Sequence, residues 1–155
     1  SNRTRKKLRG LAQGLYPAKL EIGGLETALR EMAENTEFMH NTACNLLCDP
    51  DLGIRKPDEI HIYRIVQEAV SNAVKHSRAG NIKIICRNGQ DNVSFSVEDD
   101  GIGLGANSHN GEGLGFFIMK NRAKIINAIL KINNGKPKGT VIQLHVRKEG
   151  NYHDS

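Results

Sequence analysis

Apolar residues recur along the chain first at helical spacing and then, further on, in alternation. Leu8, Leu11 and Leu15 fit the end of a helix, which Gly14 and Pro17 interrupt. Leu25, Leu29 and Met32 form a second stripe and predict a helix over 24–38. The mildly apolar segment 41–48 reads as a short strand, and Pro50, Gly53 and Pro57 mark a loop. Pro57, Asp58 and Glu59 suit a helix start, with acids near the positive dipole end, and the helix is predicted to reach about Ser77. Segments 81–87 and 92–99 read as strands joined by a turn. A glycine-dense stretch over 101–115 precedes a helix at 114–127, and strands at 129–134 and 140–147 follow. Three helices and about five strands, mostly in hairpins, predict an α+β two-layer sandwich, with a mixed sheet packed on the helices.

Charge is distributed unevenly. Arg3, Arg5, Lys6, Lys7 and Arg9 fall within the first nine residues, where there is no acid, and they account for the whole net charge of +5. The rest of the chain carries 17 acids and as many bases, so a basic surface for nucleic acid is not expected of the body. The arm lacks interleaved aromatic residues, and the stub of a longer helix explains it better. With 38% hydrophobic and 25% charged residues, the 155-residue chain fits one domain with a real core. No apolar run is long enough to span a membrane. Three cysteines, few and odd in number, fit a reducing cytoplasm. The chain opens Ser-Asn without Met, as a piece of a longer protein would.

The helix beginning at residue 57 carries the first chemistry. Ile62, Val66, Ala69, Val70 and Ala73 share one arc, predicted to be buried. Glu68, Asn72 and Lys75 lie at i, i+4 and i+7 on the other side, with His76 beside them. The neutral hard oxygen of Asn72 suits Mg²⁺ that also carries phosphate and water, and Lys75 supplies a point charge for phosphate. Glu68 can polarise a nucleophile or hold a metal-bound water. A solvated helix face carries the same residue types, so the helix alone leaves both readings open.

The glycine loops add weight. Asp99-Asp100-Gly101-Ile102-Gly103 ends a strand in an acid followed by alternate glycines, and Gly111-Glu112-Gly113-Leu114-Gly115 opens a helix. Glycine lets backbone amides approach phosphates, and a helix N-terminus presents free N–H groups. A shielded carboxylate at a strand end can accept from an exocyclic amine such as that of adenine. The second set lacks the third glycine of the dinucleotide fingerprint, and nothing reads as a Walker A loop.

This ordered set resembles the Bergerat-type ATP-binding domain of the gyrase, Hsp90, histidine kinase and MutL superfamily. The wording is most similar to sensor histidine kinases of the nitrate-sensor-like subfamily, in "YRIVQEAVSNAVKHS" at 63–77, "VEDDGIGL" at 97–104 and "GEGLGFFIMKNRA" at 111–123. "LAQGLYPAKLEIGGLETAL" at 11–29 resembles the segment joining the dimerisation helices to the ATP domain in that subfamily. The resemblance implies a stub of dimerisation helix and linker at 1–20, an ATP-binding domain at 21–148 and a tail at 149–155. It implies ATP and Mg²⁺ as cofactors, with Asn72 on the metal, Glu68 as the acid of its motif, Lys75 on phosphate and His76 near the nucleotide. Asp99 would take the adenine amine, Gly101 and Gly103 would pack close to the base, and Thr140 would lie beneath it. Gly111, Gly113, Leu114 and Gly115 would shape the phosphate lid, expected to be mobile over about 104–112.

Further implied partners are the protein's own dimerisation domain in a homodimer and a response regulator with a helix-turn-helix output domain. No nucleic acid or membrane is expected at this fragment, which would be cytoplasmic even if its parent were membrane-anchored. In such kinases the phosphoacceptor histidine is followed by an acid. His40, His61, His76, His109 and His145 are not, and His153-Asp154 lies in the terminal tail, so the acceptor is expected upstream of Ser1. Two alternatives stand beside the kinase: a nucleotide-gated interaction module without phosphoryl transfer, and a DNA-associated ATPase, which the neutral body disfavours. On a strand, Cys44 and Cys48 would lie roughly 13 Å apart, too far for one ion, so with His40 they read as ordinary structure and not as a metal site. Phe116, Phe117, Ile118 and Ile125 are predicted to be core of the last helix.

Overall fold

The structure, a computed structural model, describes residues 16–103 and 113–148. The basic segment, the 104–112 stretch with His109 and Gly111, and the tail with His153 lie outside the described residues. The elements run α1 (Ala18–His40), β1 (Ala43–Cys48), α2 (Lys56–Lys75), β2 (Asn81–Asn88), β3 (Asn92–Asp99), α3 (Leu114–Ile125), β4 (Ile129–Asn134) and β5 (Thr140–Arg147).

The five strands form one sheet in the order β1-β2-β3-β5-β4, in which only β1 and β2 run parallel. Those two are joined through α2, as a parallel pair requires. Period-two alternation gives the sheet two unlike faces. Ile82, Ile84, Cys86, Val93, Phe95, Val97, Ile142, Leu144 and Val146 are buried on the helix side. Lys83, Arg87, Glu98, Gln143 and His145 alternate with them on the other side. Burying each large side chain stabilises the fold by about 1.5–3 kcal/mol, and a one-residue slip would expose the whole row, so the register is strongly specified.

The helices cover the inward face. The arc of α2 predicted to be buried is buried, with Ile65 added to it. α1 begins at Ala18, earlier than the expected 24, but it is two helical pieces meeting at Gly24, whose φ of 81° breaks the helix. The first turn of α2 supports the break: Leu25 N–H donates to Glu59 Oε2 at 3.3 Å, and Lys56 Nζ reaches Leu20 O at 3.5 Å. Leu20, which the sequence places in the linker, is fully buried in the same core.

The expectation for α3 needs correction. Its core residues are Met119 and Ala123, followed by Ile126, with Phe116 half-buried. Phe117, Ile118 and Ile125 are exposed. Positions 116, 119, 123 and 126 make one helical stripe, whereas 117, 118 and 125 lie on the far side. Cys44 is buried, and burial raises its thiol pKa to about 11. Cys48 is half-buried and sits opposite Cys86 in the parallel register, a neighbour that the sequence spacing did not reveal.

Candidate active site

The inward rows of β3 and β5 run out at the strand ends on Asp99 and Thr140, which face each other directly in the β3–β5 register. Alternation along Val93, Phe95 and Val97 therefore turns the Asp99 carboxylate toward the helices, where an apolar residue would ordinarily stand. Burial pushes its pKa up, opposed by hydrogen bonds from the N–H groups of Gly101 and Thr140. The Gly101 N–H bond to Oδ1 is 2.9 Å. The carboxylate is thus oriented by backbone, half-buried, and still has lone pairs to offer.

A cavity of about 600 Å³ opens in front of it, within the range of small-molecule sites. α2 contributes Glu68, Ala69 and Asn72, with His76 and Ser77 just beyond its end. The start of α3 contributes Gly113, Leu114, Gly115 and Phe116, and the sheet side contributes Asp99, Gly103, Thr140 and Ile142. Apolar Ala69, Leu114, Phe116 and Ile142 share the lining with the side-chain oxygens of Glu68, Asn72, Asp99 and Thr140.

Two glycines make this packing possible. A Cβ at Gly101 would run into the carbonyl oxygen and Cβ of Ser77, and that same carbonyl accepts the Ile102 N–H at 2.9 Å. The end of α2 and the turn after β3 are therefore joined by direct backbone contact. At Gly115 a Cβ would meet the Glu68 carboxylate, so this acid lies against the first turn of α3, where the helix dipole favours negative charge. Asp100, next to Asp99, faces away and caps the start of β2. It accepts from Gly80 N–H at 2.8 Å, Asn81 N–H at 2.9 Å and Asn81 Nδ2 at 2.8 Å. The Asn81 side-chain bond leads the effects that hold the Asp100 pKa below its usual value.

Of the residues singled out in the sequence, Glu68, Asn72, His76, Asp99, Gly103, Gly113, Leu114, Gly115 and Thr140 line one cavity. Gly101 is not in the lining but packs on Ser77 and donates its N–H to Asp99, both of which are. Lys75 is exposed and lines neighbouring cavities instead. Gly111 lies outside the described residues. Ala69, Ser77, Phe116 and Ile142 were not anticipated. Ile142 had a signal, being two residues beyond Thr140 on the same strand face.

Residues 57–150 match the family model described as histidine kinase-, DNA gyrase B- and HSP90-like ATPase. The chain belongs to this ATPase family. The site of this ATPase-family domain falls wholly inside the matched region. Among its relatives, the sensor histidine kinase LiaS of Bacillus subtilis is 32% identical over 141 residues, covering 90% of this chain and 39% of that protein. The oxygen sensor histidine kinase NreB of Staphylococcus carnosus is 29% identical over 143 residues, covering 90% and 41%. The chain thus spans about two-fifths of the length of these relatives. The ATP-binding domain of PrrB from Mycobacterium tuberculosis has the same fold, with a TM-score of 0.67 at 18% identity over 79% of this chain and 93% of that one.

The donor set fits Mg²⁺. A carboxamide and a carboxylate line the cavity together, and among the described residues no group of three or more His, Cys, Asp or Glu forms a cage. Mg²⁺ commonly takes one or two protein ligands and completes its shell with phosphate oxygens and water. Among the described residues no helix is long and apolar enough to cross a membrane.

Proposed function

We propose that this chain is the ATP-binding catalytic domain of a two-component sensor histidine kinase, which transfers the γ-phosphoryl group of ATP to a histidine elsewhere in its parent protein. The observation that carries the reading is the inward-facing Asp99, positioned by Gly101 and Thr140 at the end of a cavity whose other wall bears Asn72 and Glu68.

Asp99 accepts the exocyclic amine of adenine, and the base lies against Ala69, Phe116 and Ile142. The first turn of α3 offers unpaired N–H groups and the positive dipole end to the phosphates. Asn72, with Glu68 nearby, would hold Mg²⁺, which when bound neutralises charge on the phosphate oxygens. Lys75 stands outside this cavity and lines the neighbouring hollows. The domain holds the γ-phosphate in line with an incoming imidazole, and positioning does most of the work. Glu68 lies against α3, so its first task is to hold that helix at the site. The parent's dimerisation helices would supply the acceptor, within a homodimer, and a response-regulator aspartate would receive the phosphoryl group next.

The test is trans-phosphorylation. The chain is incubated with Mg²⁺, γ-labelled ATP and the parent's dimerisation segment. Acid-labile, base-stable label on a histidine of that segment is expected. A chain that binds ATP yet labels no histidine would instead be a nucleotide-gated interaction module.

A further inference from the structure

All three cysteines of the chain lie among the described residues, and two of them form a pair. Cys48 is the last residue of β1, the edge strand, and stands directly opposite Cys86 of β2. Both side chains point to the helix side, as alternation along Cys44, Leu46 and Cys48 and along Ile82, Ile84 and Cys86 requires. Backbone bonds fix the register before and after the pair. Ala43 N–H donates to Gly80 O at 3.0 Å, Asp49 N–H to Cys86 O at 2.9 Å, and Asn88 N–H to Asp49 Oδ2 at 2.8 Å. Paired strands lie about 4.8 Å apart, inside the Cα span that a disulfide bridges. Cys44, on the same face, stands opposite Ile82 and has no sulfur across from it.

The two thiols are in hydrogen-bond contact. The Cys86 S–H donates to Cys48 Sγ, and the Cys48 S–H donates to Asp49 O at 3.5 Å. Burial raises both thiol pKa values. At Cys48 the Cys86 hydrogen bond and the Arg30 charge oppose the rise, while Glu26 and Asp49 add to it; at Cys86 the neighbouring Cys48 leads what is added to burial. Cys48 is also half-buried, where Cys86 is 1% exposed. Access and charge therefore both make Cys48 the sulfur that attacks and Cys86 the one that resolves.

We propose that Cys48 and Cys86 form a reversible disulfide, with small-molecule disulfides as the oxidant, at a modification site separate from the cavity. The Cys48 thiolate attacks one sulfur of the small disulfide, whose S–S bond breaks, and one small thiol leaves with the Cys48 proton. Cys86 then attacks Cys48 Sγ in the mixed disulfide, and the second small thiol leaves with the Cys86 proton. The protein dithiol thus gives up two electrons and two protons, and the small disulfide becomes two thiols. The new bond closes a loop that contains all of α2 and ties the edge strand to the sheet. Asp99 faces Ile82 near the start of β2, whereas Cys86 lies toward its other end, so the pair does not depend on the nucleotide reading.

The whole chain, reduced and folded, is incubated with hydroxyethyl disulfide at about pH 8, near the ordinary thiol pKa, and mapped by mass spectrometry without reduction. Expected are a loss of two hydrogens, a link between the Cys48 and Cys86 peptides, a free Cys44, and full reversal by dithiothreitol. Cys86→Ser should stop at a mixed disulfide on Cys48, and Cys48→Ser should leave Cys86 unmodified over the same time. The linked chain should melt higher than the reduced one, because the cross-link restricts the unfolded chain. A folded wild-type chain that stays reduced, stops at a mixed disulfide or links Cys44 overturns the proposal. So does a linked chain that melts lower than the reduced one, since the native register would then not hold the two sulfurs at bonding distance.

Discussion

Gly101 and Gly115 both sit where a side chain would collide, but with different neighbours. At Gly101 the obstacle is the backbone of Ser77, which cannot move without dragging the end of α2. Gly101→Ala is therefore expected to cost on the order of 1–3 kcal/mol, seen as a lower urea midpoint with an unchanged slope. At Gly115 the obstacle is the end of the flexible Glu68 side chain, which can swing aside. A Cβ at Gly113 would meet nothing within 4 Å, so Gly113→Ala is the control and should leave the midpoint nearly unchanged. Equal midpoints for the Gly101 and Gly113 variants would contradict this packing. The glycines were visible in the sequence as a pair of clusters. Which one presses on backbone was not, because that depends on the approach of α2 to the turn after β3.

At the scale of elements, the α2–α3 seam frames the site, and one hydrogen bond marks its far end. Arg122 Nη1 lies 3.1 Å from His61 Nδ1. Arginine can only donate, so His61 accepts there and is neutral. Burial first, and then the Arg122 charge, lower the His61 pKa, while Asp58 opposes them; Arg64 adds to the positive surroundings of Arg122. A histidine pKa lowered in the folded state means that, as pH falls through about 6.5, the unfolded chain takes up the proton first. Stability is then lost on acidification, with the loss complete only below the folded pKa. The melting temperature should fall between about pH 7.5 and pH 5.5, and His61→Asn, which keeps an acceptor near Nδ1, should show a smaller fall. The same fall in both proteins would remove His61 from the cause. Strands were legible from alternation because one face of the sheet is wet and the other dry. The phase of α3 was not, since Phe116, Phe117, Ile118 and Met119 form an unbroken apolar run. Contact with α2 selects Phe116 and Met119 and leaves the middle pair outside. Lys75 is a similar case: a helical wheel gives its direction relative to Asn72, but its long side chain leads away from the cavity.

In the molecule as a whole, a nearly neutral body carries its chemistry in one seam between the helix layer and the end of the sheet. Glu59 and Lys56 tie the kinked start of α1 to α2, so that start is anchored to the helix that bears Asn72. The order of acid, glycines and helix start was legible because a nucleotide needs those groups in sequence along one fold. The turn after α2 was not legible, because the positive φ of Arg78 is a backbone conformation that no periodicity predicts. The most direct test of the site as an ATP site is calorimetry of the ATP analogue with wild type and Asp99→Asn in Mg²⁺. In wild type the carboxylate accepts from the Gly101 and Thr140 N–H groups. A carboxamide can keep its oxygen on the Gly101 N–H, but its NH₂ then meets the adenine amine donor to donor. Since burial raises the Asp99 pKa, removing its charge should leave the fold at least as stable at neutral pH. The expected result is an Asp99→Asn protein that melts no lower than wild type and has lost nearly all affinity for the analogue. Unchanged affinity in a folded Asp99→Asn protein would contradict the assignment of this cavity to adenine.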